Sequence, residues 1–200
     1  MTQRVVLATR NRGKLAELTR ILDGLVDVSL ETLDTFPGAP EVEETGSTFE
    51  ENALLKARAI AAYTGLPAVA DDSGLCVDFL GGAPGVRSAR WAGEPSDDRT
   101  NLELVLSQLE DAGEGMRAAH FACAAAAVVP GVGERVVTAD VHGTLIHSPR
   151  GENGFGYDPI FVPDGYSVTS AELSSEEKDA ISHRGKALRA LAPLLAELLG

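Results

Sequence analysis

Residues 5–22 read VVLATRNRGKLAELTRIL, and this stretch predicts a strand, a tight polar turn and a helix. The apolar run 5–8 is typical of a short buried strand, and apolar residues then recur over 15–22 at the spacing of an amphipathic helix. Such a turn points backbone N–H groups and the positive end of the helix dipole at one place, where an anion can bind. An ordinary polar turn is the alternative. The polar residues of the turn include Thr9, Asn11, Gly13 and Lys14.

The turn differs from the phosphate-binding loop GxxxxGK[ST]. Ala8 stands where that loop has its first glycine, and Leu15 stands where it has the hydroxyl that holds Mg²⁺. If the turn binds a metal-associated phosphate, the metal ligands must therefore come from elsewhere in the chain.

The chain has 200 residues, and 44% of them are hydrophobic, which predicts one globular domain over residues 1–200 with an ample core. It contains no run of 18 apolar residues, and the apolar run at the N-terminus is too short for a signal peptide. Cys76 and Cys123 lie in apolar contexts and are predicted to be reduced core cysteines. This pattern favours a cytoplasmic protein without a membrane partner.

The formal net charge is −13, and no basic run is present. Binding to duplex nucleic acid depends on neutralising many phosphates, so the charge argues against a nucleic-acid partner. A small anionic ligand, held by a few local cations and a metal, remains compatible with it.

Helical and strand-like segments are mixed along the chain, which predicts an α/β fold with a mixed sheet. The two long strand-like stretches are expected to pair in antiparallel fashion across Pro130-Gly131. The predicted strands are 4–9, 26–30, 67–70, 117–129, 134–146 and the PIFVP segment. The predicted helices are 13–23, a helix capped by Ser47 or Thr48 that runs to Tyr63, a helix over 97–111 capped by Ser96, and a helical region from Ser175 with a break near 182–185.

Two acidic segments predict a metal site. Asp71 and Asp72 are expected to follow a buried strand, where ligands of α/β sheets bind, and neighbouring strand residues face opposite sides, so only one need face a given site. A loop carries Glu41, Glu43 and Glu44 before a helix. A carboxylate from each segment could hold Mg²⁺, although Asp-Asp-Ser-Gly is also favourable turn chemistry.

Three further groups carry candidate chemistry. In GFGYDPIF (154–161), Phe155 offers a ring on which a nucleobase can stack and Asp158 offers an acceptor, with aromatic core packing as the alternative. In SHRGKAL (182–188), Arg and His side chains can donate to carbonyl or phosphate oxygens. Lys56 is either a second cation beside Lys14 or a lysine that extends to solvent.

In order along the chain, five stretches resemble the inosine/xanthosine triphosphate pyrophosphatase family. They are LATRNRGKLAEL, EETGSTFEENALLKA, PAVADDSGLCVDFLGGAPGVRSARWAG, GFGYDPIF and EEKDAISHRGKAL, and they extend over residues 7–188. Arg10 is a departure, because the family often has glycine there.

The resemblance implies an elongated, two-lobed α/β domain with a mixed central sheet flanked by helices and an active-site cleft between the lobes. It also implies a homodimer that hydrolyses ITP, dITP and XTP with Mg²⁺ to the nucleoside monophosphate and pyrophosphate. For the metal, it implies Glu44 and Asp72 as ligands, with Asp72 as the base for the attacking water and Asp71 in support.

The resemblance further implies which residues bind the substrate. The triphosphate would be bound by Thr9, Arg10, Asn11, Arg12, Gly13 and Lys14, with Lys56 nearby and Ser73 touching the substrate. The purine would stack on Phe155, surrounded by Gly156, Tyr157 and Asp158, and its base edge would meet Lys178, His183 and Arg184.

Two other functions stay open at this level. One is a related nucleotide pyrophosphatase that prefers modified pyrimidines or other bases. The other is a non-catalytic nucleotide sensor, which the carboxylates disfavour because binding alone does not need Asp71-Asp72 beside an acidic loop.

Overall fold

The computed structural model of the protein describes residues 2–200, which form an α/β fold around a six-stranded sheet. The strands are β1 (Gln3–Leu7), β2 (Val28–Thr32), β3 (Ala68–Val77), β4 (Ala118–Val129), β5 (Gly133–Leu145) and β6 (Phe161–Pro163), in the order β2-β1-β3-β4-β5-β6. The helices are α1 (Arg12–Leu22), α2 (Phe49–Thr64), α3 (Asp98–Gln108), α4 (Ser175–Ile181) and α5 (His183–Leu199).

The sheet is mixed, as the sequence predicts. Strand β1 pairs in parallel with both β2 and β3, whereas β5 and β6 are antiparallel. Only three residues connect β4 to its neighbour β5, and a connection this short joins antiparallel strands. The prediction of an α/β fold with a mixed sheet is confirmed.

Side-chain caps define where the helices begin. The Asn11 side chain accepts from the Lys14 N–H at the start of α1, and Thr48 accepts from the Glu51 N–H at the start of α2. For α3 the predicted cap Ser96 is wrong, because the Asp97 carboxylate accepts from the Thr100 N–H. The negative charge of an ionised capping side chain also interacts favourably with the positive end of the helix dipole.

Strand β3 differs most from its prediction. The expected strand over 67–70 extends to Val77, so Asp71 and Asp72 lie inside a ten-residue strand, and the turn interpretation of Asp-Asp-Ser-Gly is wrong. Both side chains are buried and paired with cations, which allows carboxylates to occupy a buried strand. Because Leu7 of β1 aligns with Val69, both aspartates still lie beyond the carboxyl end of β1.

The chain forms two compact units, and the first comprises the chain up to Asp72 together with Cys123–Ala139 and Arg184–Gly200. In this unit, Val5 and Leu7 pack in one apolar cluster with residues of α1 and α5. Val6 packs in another cluster with residues of α2. Because successive strand residues point to opposite faces, β1 is covered by helices on both sides and its sequence is a continuous apolar run.

The second unit comprises Ser73–Ala122 and Asp140–His183. Its core joins the second half of β3 to α3, β4 and the segment that leads into β6. Its large buried members include Leu75, Val105, Leu109, Phe121, Ile160 and Phe161. That residues 1–200 act as one domain stays a prediction, as does the expected cleft. Among the described residues, no helix is both long and apolar enough to cross a membrane.

Candidate active site

The polar turn between β1 and α1 is shaped by its own side chains. The Thr9 hydroxyl accepts from the Asn11 N–H at 3.2 Å, and Asn11 Oδ1 accepts from the Lys14 N–H at 3.0 Å. The Arg10 guanidinium donates to the Ala39 carbonyl at 2.8 Å, so this side chain anchors the loop before α2. Arg12 is exposed at the first position of the helix. The turn therefore begins a helix whose first N–H groups lie at one end of the parallel strands.

Asp71 is held between two cations inside the first unit. Its Oδ2 atom lies 3.2 Å from Lys14 Nζ and 3.0 Å from Arg184 Nε. Burial alone would raise the pKa of Asp71, but the charges of Lys14 and Arg184 outweigh it and hold the pKa far below its usual range. The Asp71 carboxylate is therefore ionised in the folded protein.

Arg184 has a second carboxylate partner that the sequence did not single out. Its guanidinium also donates to Glu17 of α1, and both side chains are buried. Glu17 lies within the apolar stripe of α1, and a charged residue at such a position is the one signal that could have identified it. That Arg184 contacts the base stays a prediction, and the structure adds that its guanidinium joins α5 to Asp71 and Glu17.

Asp72 faces the opposite side of β3 and belongs to a different cluster. Its Oδ1 atom lies 3.1 Å from Lys56 Nζ, and its Oδ2 atom accepts from the Asn52 side chain at 3.1 Å. Lys56 also donates to Glu44 Oε1 at 2.9 Å. Burial raises the pKa of Asp72 above its ordinary value, Lys56 and Lys14 oppose that rise, and the Glu44 carboxylate adds to it. Lys56 thus joins α2 to Asp72 and the acidic loop.

The Glu44–Asp72 pair fits a magnesium ion. Each residue already places one oxygen within hydrogen-bonding distance of a single cationic atom, Lys56 Nζ. Mg²⁺ prefers oxygen donors and keeps several waters, so two carboxylates suffice for it. Of the acidic loop, Glu41 and Glu43 are exposed and Glu44 is the member that meets Lys56. Within residues 2–200 no larger group of His, Cys, Asp or Glu is arranged to hold a metal.

In the second unit, Asp158 organises the aromatic turn of GFGYDPIF. Its Oδ2 atom accepts from the Phe155 N–H at 2.9 Å and from Lys178 Nζ. Lys178 Nζ lies 5.0 Å from the centroid of the Phe155 ring, within range of a cation–π interaction. Asp158 and Lys178 are buried, whereas the Phe155 ring is half-buried. The turn therefore presents one aromatic face beside a fixed ion pair.

Two further contacts hold this turn. The Gly156 N–H donates to Asp98 Oδ2 at 2.9 Å, and the Tyr157 hydroxyl donates to the Ser88 carbonyl at 2.7 Å. Burial raises the pKa of the Tyr157 phenol, and the Asp98 carboxylate raises it further, so the hydroxyl stays protonated as a donor. Asp98 and Ser88 were missed because nothing in their sequence context marks them as partners of a turn more than 50 residues away.

His183 lies beside the same group of residues. Its imidazole stacks on the Phe121 ring, and it lines a small pocket in the second unit together with Asp158, Lys178, Ser182 and apolar side chains. The candidate residues therefore fall into three sets. The first set comprises Lys14, Asp71 and Arg184, and the second comprises Lys56, Glu44 and Asp72. The third set lies in the second unit and comprises Phe155, Gly156, Tyr157, Asp158, Lys178 and His183. Ser73 is half-buried at the start of the second unit, and its contact with substrate stays a prediction.

These features define an α/β protein with a lysine–carboxylate site on β3, beyond the carboxyl end of the parallel strand β1. The chain belongs to the Ham1 family, whose sequence model matches residues 5–194. The resemblance seen in the motifs is thereby confirmed.

Relatives and solved structures are similar to this chain over nearly its full length. The chain is 61% identical to a dITP/XTP pyrophosphatase of Streptomyces avermitilis, over 98% of this chain and 99% of the relative. It is similar to the structure of a HAM1 protein from Coxiella burnetii, with a TM-score of 0.87, 43% identity, and coverage of 98% of this chain and 100% of that one. It also resembles a structure titled nucleoside-triphosphatase / dITP/XTP pyrophosphatase from Mycobacterium abscessus, with a TM-score of 0.76, 52% identity, and coverage of 96% and 100%.

Proposed function

We propose that this protein is a nucleoside triphosphate pyrophosphatase that hydrolyses the non-standard purine nucleotides dITP, XTP and ITP. The products are the nucleoside monophosphate and pyrophosphate, and Mg²⁺ is the cofactor. Curated relatives that match the whole chain carry the name dITP/XTP pyrophosphatase, which supports the substrate class. ITP as substrate, Mg²⁺ and the identity of the products are implied by the family resemblance, and the carboxylates and lysines of the site are compatible with them.

The observation that carries the proposal is the contrast between two adjacent carboxylates. Asp71 and Asp72 face opposite sides of β3, and their pKa values move in opposite directions. Neighbouring carboxylates with divergent pKa values commonly divide the roles of fixed anion and proton acceptor. Asp71 then holds Lys14 and Arg184 in place, while Asp72 accepts the proton of the attacking water.

Glu44 and Asp72 would hold the metal. When bound, Mg²⁺ neutralises phosphate charge and lowers the pKa of a coordinated water. Lys14 lies against Asp71 and Lys56 lies against Glu44, and the two lysines would neutralise the triphosphate and the pyrophosphate that leaves. The N–H groups at the start of α1 would add donors for the same phosphates, with Thr9, Arg10, Asn11, Arg12 and Gly13 forming the turn.

The second unit would bind the purine. Phe155 offers the stacking face, and Lys178 and His183 supply donors for a 6-oxo group. An adenine amino group at that place would leave buried donors unpaired, and a site built for a polar group rejects such an analogue strongly. The same reasoning supports inosine and xanthine nucleotides as substrates over adenine nucleotides.

We further propose a cytoplasmic homodimer whose partner is the small-molecule nucleotide, with neither nucleic acid nor membrane as a binding surface. The negative net charge of −13 supports the exclusion of nucleic acid.

The test is product analysis with ITP, dITP, XTP, GTP and ATP in the presence of Mg²⁺. We expect monophosphate and pyrophosphate from the first three and little product from ATP. Release of orthophosphate with a nucleoside diphosphate, or equal rates on ATP, would contradict the proposal. Asp72→Asn should abolish turnover while ITP still binds, and the exposed Asp78→Asn is the matched control that should keep full activity.

A further inference from the structure

Phe121 contacts His183, one of the predicted base-binding residues, although the sequence marks it only as part of an apolar strand. Its ring stacks on the His183 imidazole with centroids 4.8 Å apart and planes 9° apart. Both side chains are buried, at 8% and 6% exposure, and both line the pocket in the second unit. A nearly parallel stack is a directional contact, because it defines the plane of the imidazole.

The Phe121 ring is itself fixed. Phe161 meets it edge to face, with centroids 4.7 Å apart and planes 65° apart, and Phe161 is buried at 1% exposure. In the strand segment AAHFACAAAA (118–127), Phe121 is the one large apolar residue among alanines. The apolar neighbours of Phe121 in that segment are alanines and Cys123, which are too small to replace a lost ring, so the stack depends on this residue.

A histidine ring needs such a support to donate in one direction. The torsion that sets the plane of an imidazole has a broad energy profile, so packing decides the orientation. The other side chains that line the pocket near His183 include Ile181, Ser182 and Val141. None of these three presents a flat face to the ring, whereas Phe121 does.

We propose that Phe121 is a positioning residue that holds the His183 imidazole in the orientation from which a ring nitrogen donates to the 6-oxo group of the purine. This inference rests on the proposed function, because it assigns Phe121 a part in selecting 6-oxopurines. Phe121 acts through His183 and makes no contact with the reacting phosphorus. Its loss therefore weakens base binding and selectivity, while the hydrolytic step itself is preserved.

Three variants separate positioning from packing. Phe121→Leu removes the aromatic face but keeps an apolar side chain of similar bulk, and Phe121→Tyr keeps the face. Leu109→Ala is the matched control, because it removes a buried apolar side chain of the same cluster at a residue that does not line the pocket. Denaturant unfolding of all three variants establishes that each is folded.

The first readout is the proton NMR spectrum of the imidazoles. The chain has four histidines, so the signals can be assigned by single substitution. The ring protons of His183 should be shifted upfield by the Phe121 ring in the wild type and in Phe121→Tyr. That shift should be lost in Phe121→Leu, while the signals of the exposed His147 stay in place.

The second readout is the affinity for IMP, measured by calorimetry, together with kcat and KM for ITP and ATP. Phe121→Leu should weaken IMP binding and raise KM for ITP about tenfold, the factor expected for one lost hydrogen bond, with kcat changed less than about twofold. The preference for ITP over ATP should fall by about the same factor. Phe121→Tyr should restore both values.

An unchanged His183 spectrum in Phe121→Leu would overturn the inference, as would equal losses of IMP affinity in Phe121→Leu and Leu109→Ala. If the wild type does not hydrolyse ITP, the proposed function fails. The spectrum and the IMP affinities, measured without turnover, then still decide whether Phe121 positions His183 for a 6-oxopurine.

Discussion

Replacing Glu17 with methionine should destabilise the first unit by leaving a buried arginine partly uncompensated. Methionine has nearly the length of glutamate, so Glu17→Met removes the charge without leaving a large cavity. Arg184 is buried at 1% exposure, and in this variant it loses its ion pair with Glu17 while it keeps the one with Asp71. The substitution therefore isolates the electrostatic role of Glu17.

The expected cost follows from the burial of the pair. Breaking a buried ion pair by removing one partner costs about 3–5 kcal/mol of unfolding free energy, because the remaining charge stays buried without full compensation. Arg184 keeps Asp71, so we expect the lower end of that range, about 3 kcal/mol. For a chain of this size each kcal/mol lowers Tm by roughly 2–4 °C, which gives a decrease of about 6–12 °C.

The assay is urea unfolding followed by circular dichroism, with thermal unfolding as a second measure. The control is Glu103→Gln, because Glu103 pairs with Arg99 on the surface of α3, where the side chains are 58% and 86% exposed. Removing that exposed pair should cost only about 0.5 kcal/mol. The double variant Glu17→Met/Arg184→Met should lose at least about 1 kcal/mol less than the sum of the two single losses.

A loss below about 1 kcal/mol for Glu17→Met would refute this reasoning, because it would mean that Arg184 does not depend on Glu17 for compensation. Strict additivity in the double variant would refute it as well, since it would show that the two side chains do not interact.

Other contacts predict further outcomes. Asp98→Ala removes the acceptor of the Gly156 N–H and should raise KM for ITP about fivefold, which corresponds to about 1 kcal/mol of binding free energy. The measurement is steady-state kinetics, and an unchanged KM would show that the turn keeps its conformation without Asp98. Gly74→Ala places a Cβ against the Gly85 carbonyl and the Ser88 hydroxyl, and should lower the free energy of unfolding in urea by about 1–3 kcal/mol. An unchanged urea midpoint would contradict the close approach of these atoms to Gly74. Burial raises the pKa of the Cys123 thiol to about 12, so at pH 8 this thiol should not react with Ellman's reagent until the protein is denatured. Rapid reaction of two thiol equivalents in the native protein would contradict that burial.

Local features were predictable from the sequence. The turn after β1 is shaped by Thr9 and Asn11, which contact residues only two or three positions away. Thr48 caps α2 through a hydrogen bond of the same short range. Signals of this kind depend on neighbouring residues and are therefore visible in the order of the residues alone.

Features that depend on distant partners were not predictable. Asp71 and Asp72 were expected beyond the end of a buried strand, but paired cations make a longer buried strand compatible with them. One of these cations, Arg184, lies 113 residues from Asp71 in sequence. Glu17 meets Arg184 across 167 residues. Phe121 reads as a core residue in an alanine-rich strand, and only its stack on His183 connects it with the base-binding group. Long-range charge pairing and ring packing decided these cases.

Hydrolysis of ITP in water enriched in ¹⁸O, with Mg²⁺ present, shows which phosphorus is attacked. If Asp72 directs water to the α-phosphorus, mass spectrometry will find one ¹⁸O in IMP and none in pyrophosphate. Label in pyrophosphate, or label in orthophosphate beside IDP, would contradict the assignment of this protein as a pyrophosphatase of that mechanism.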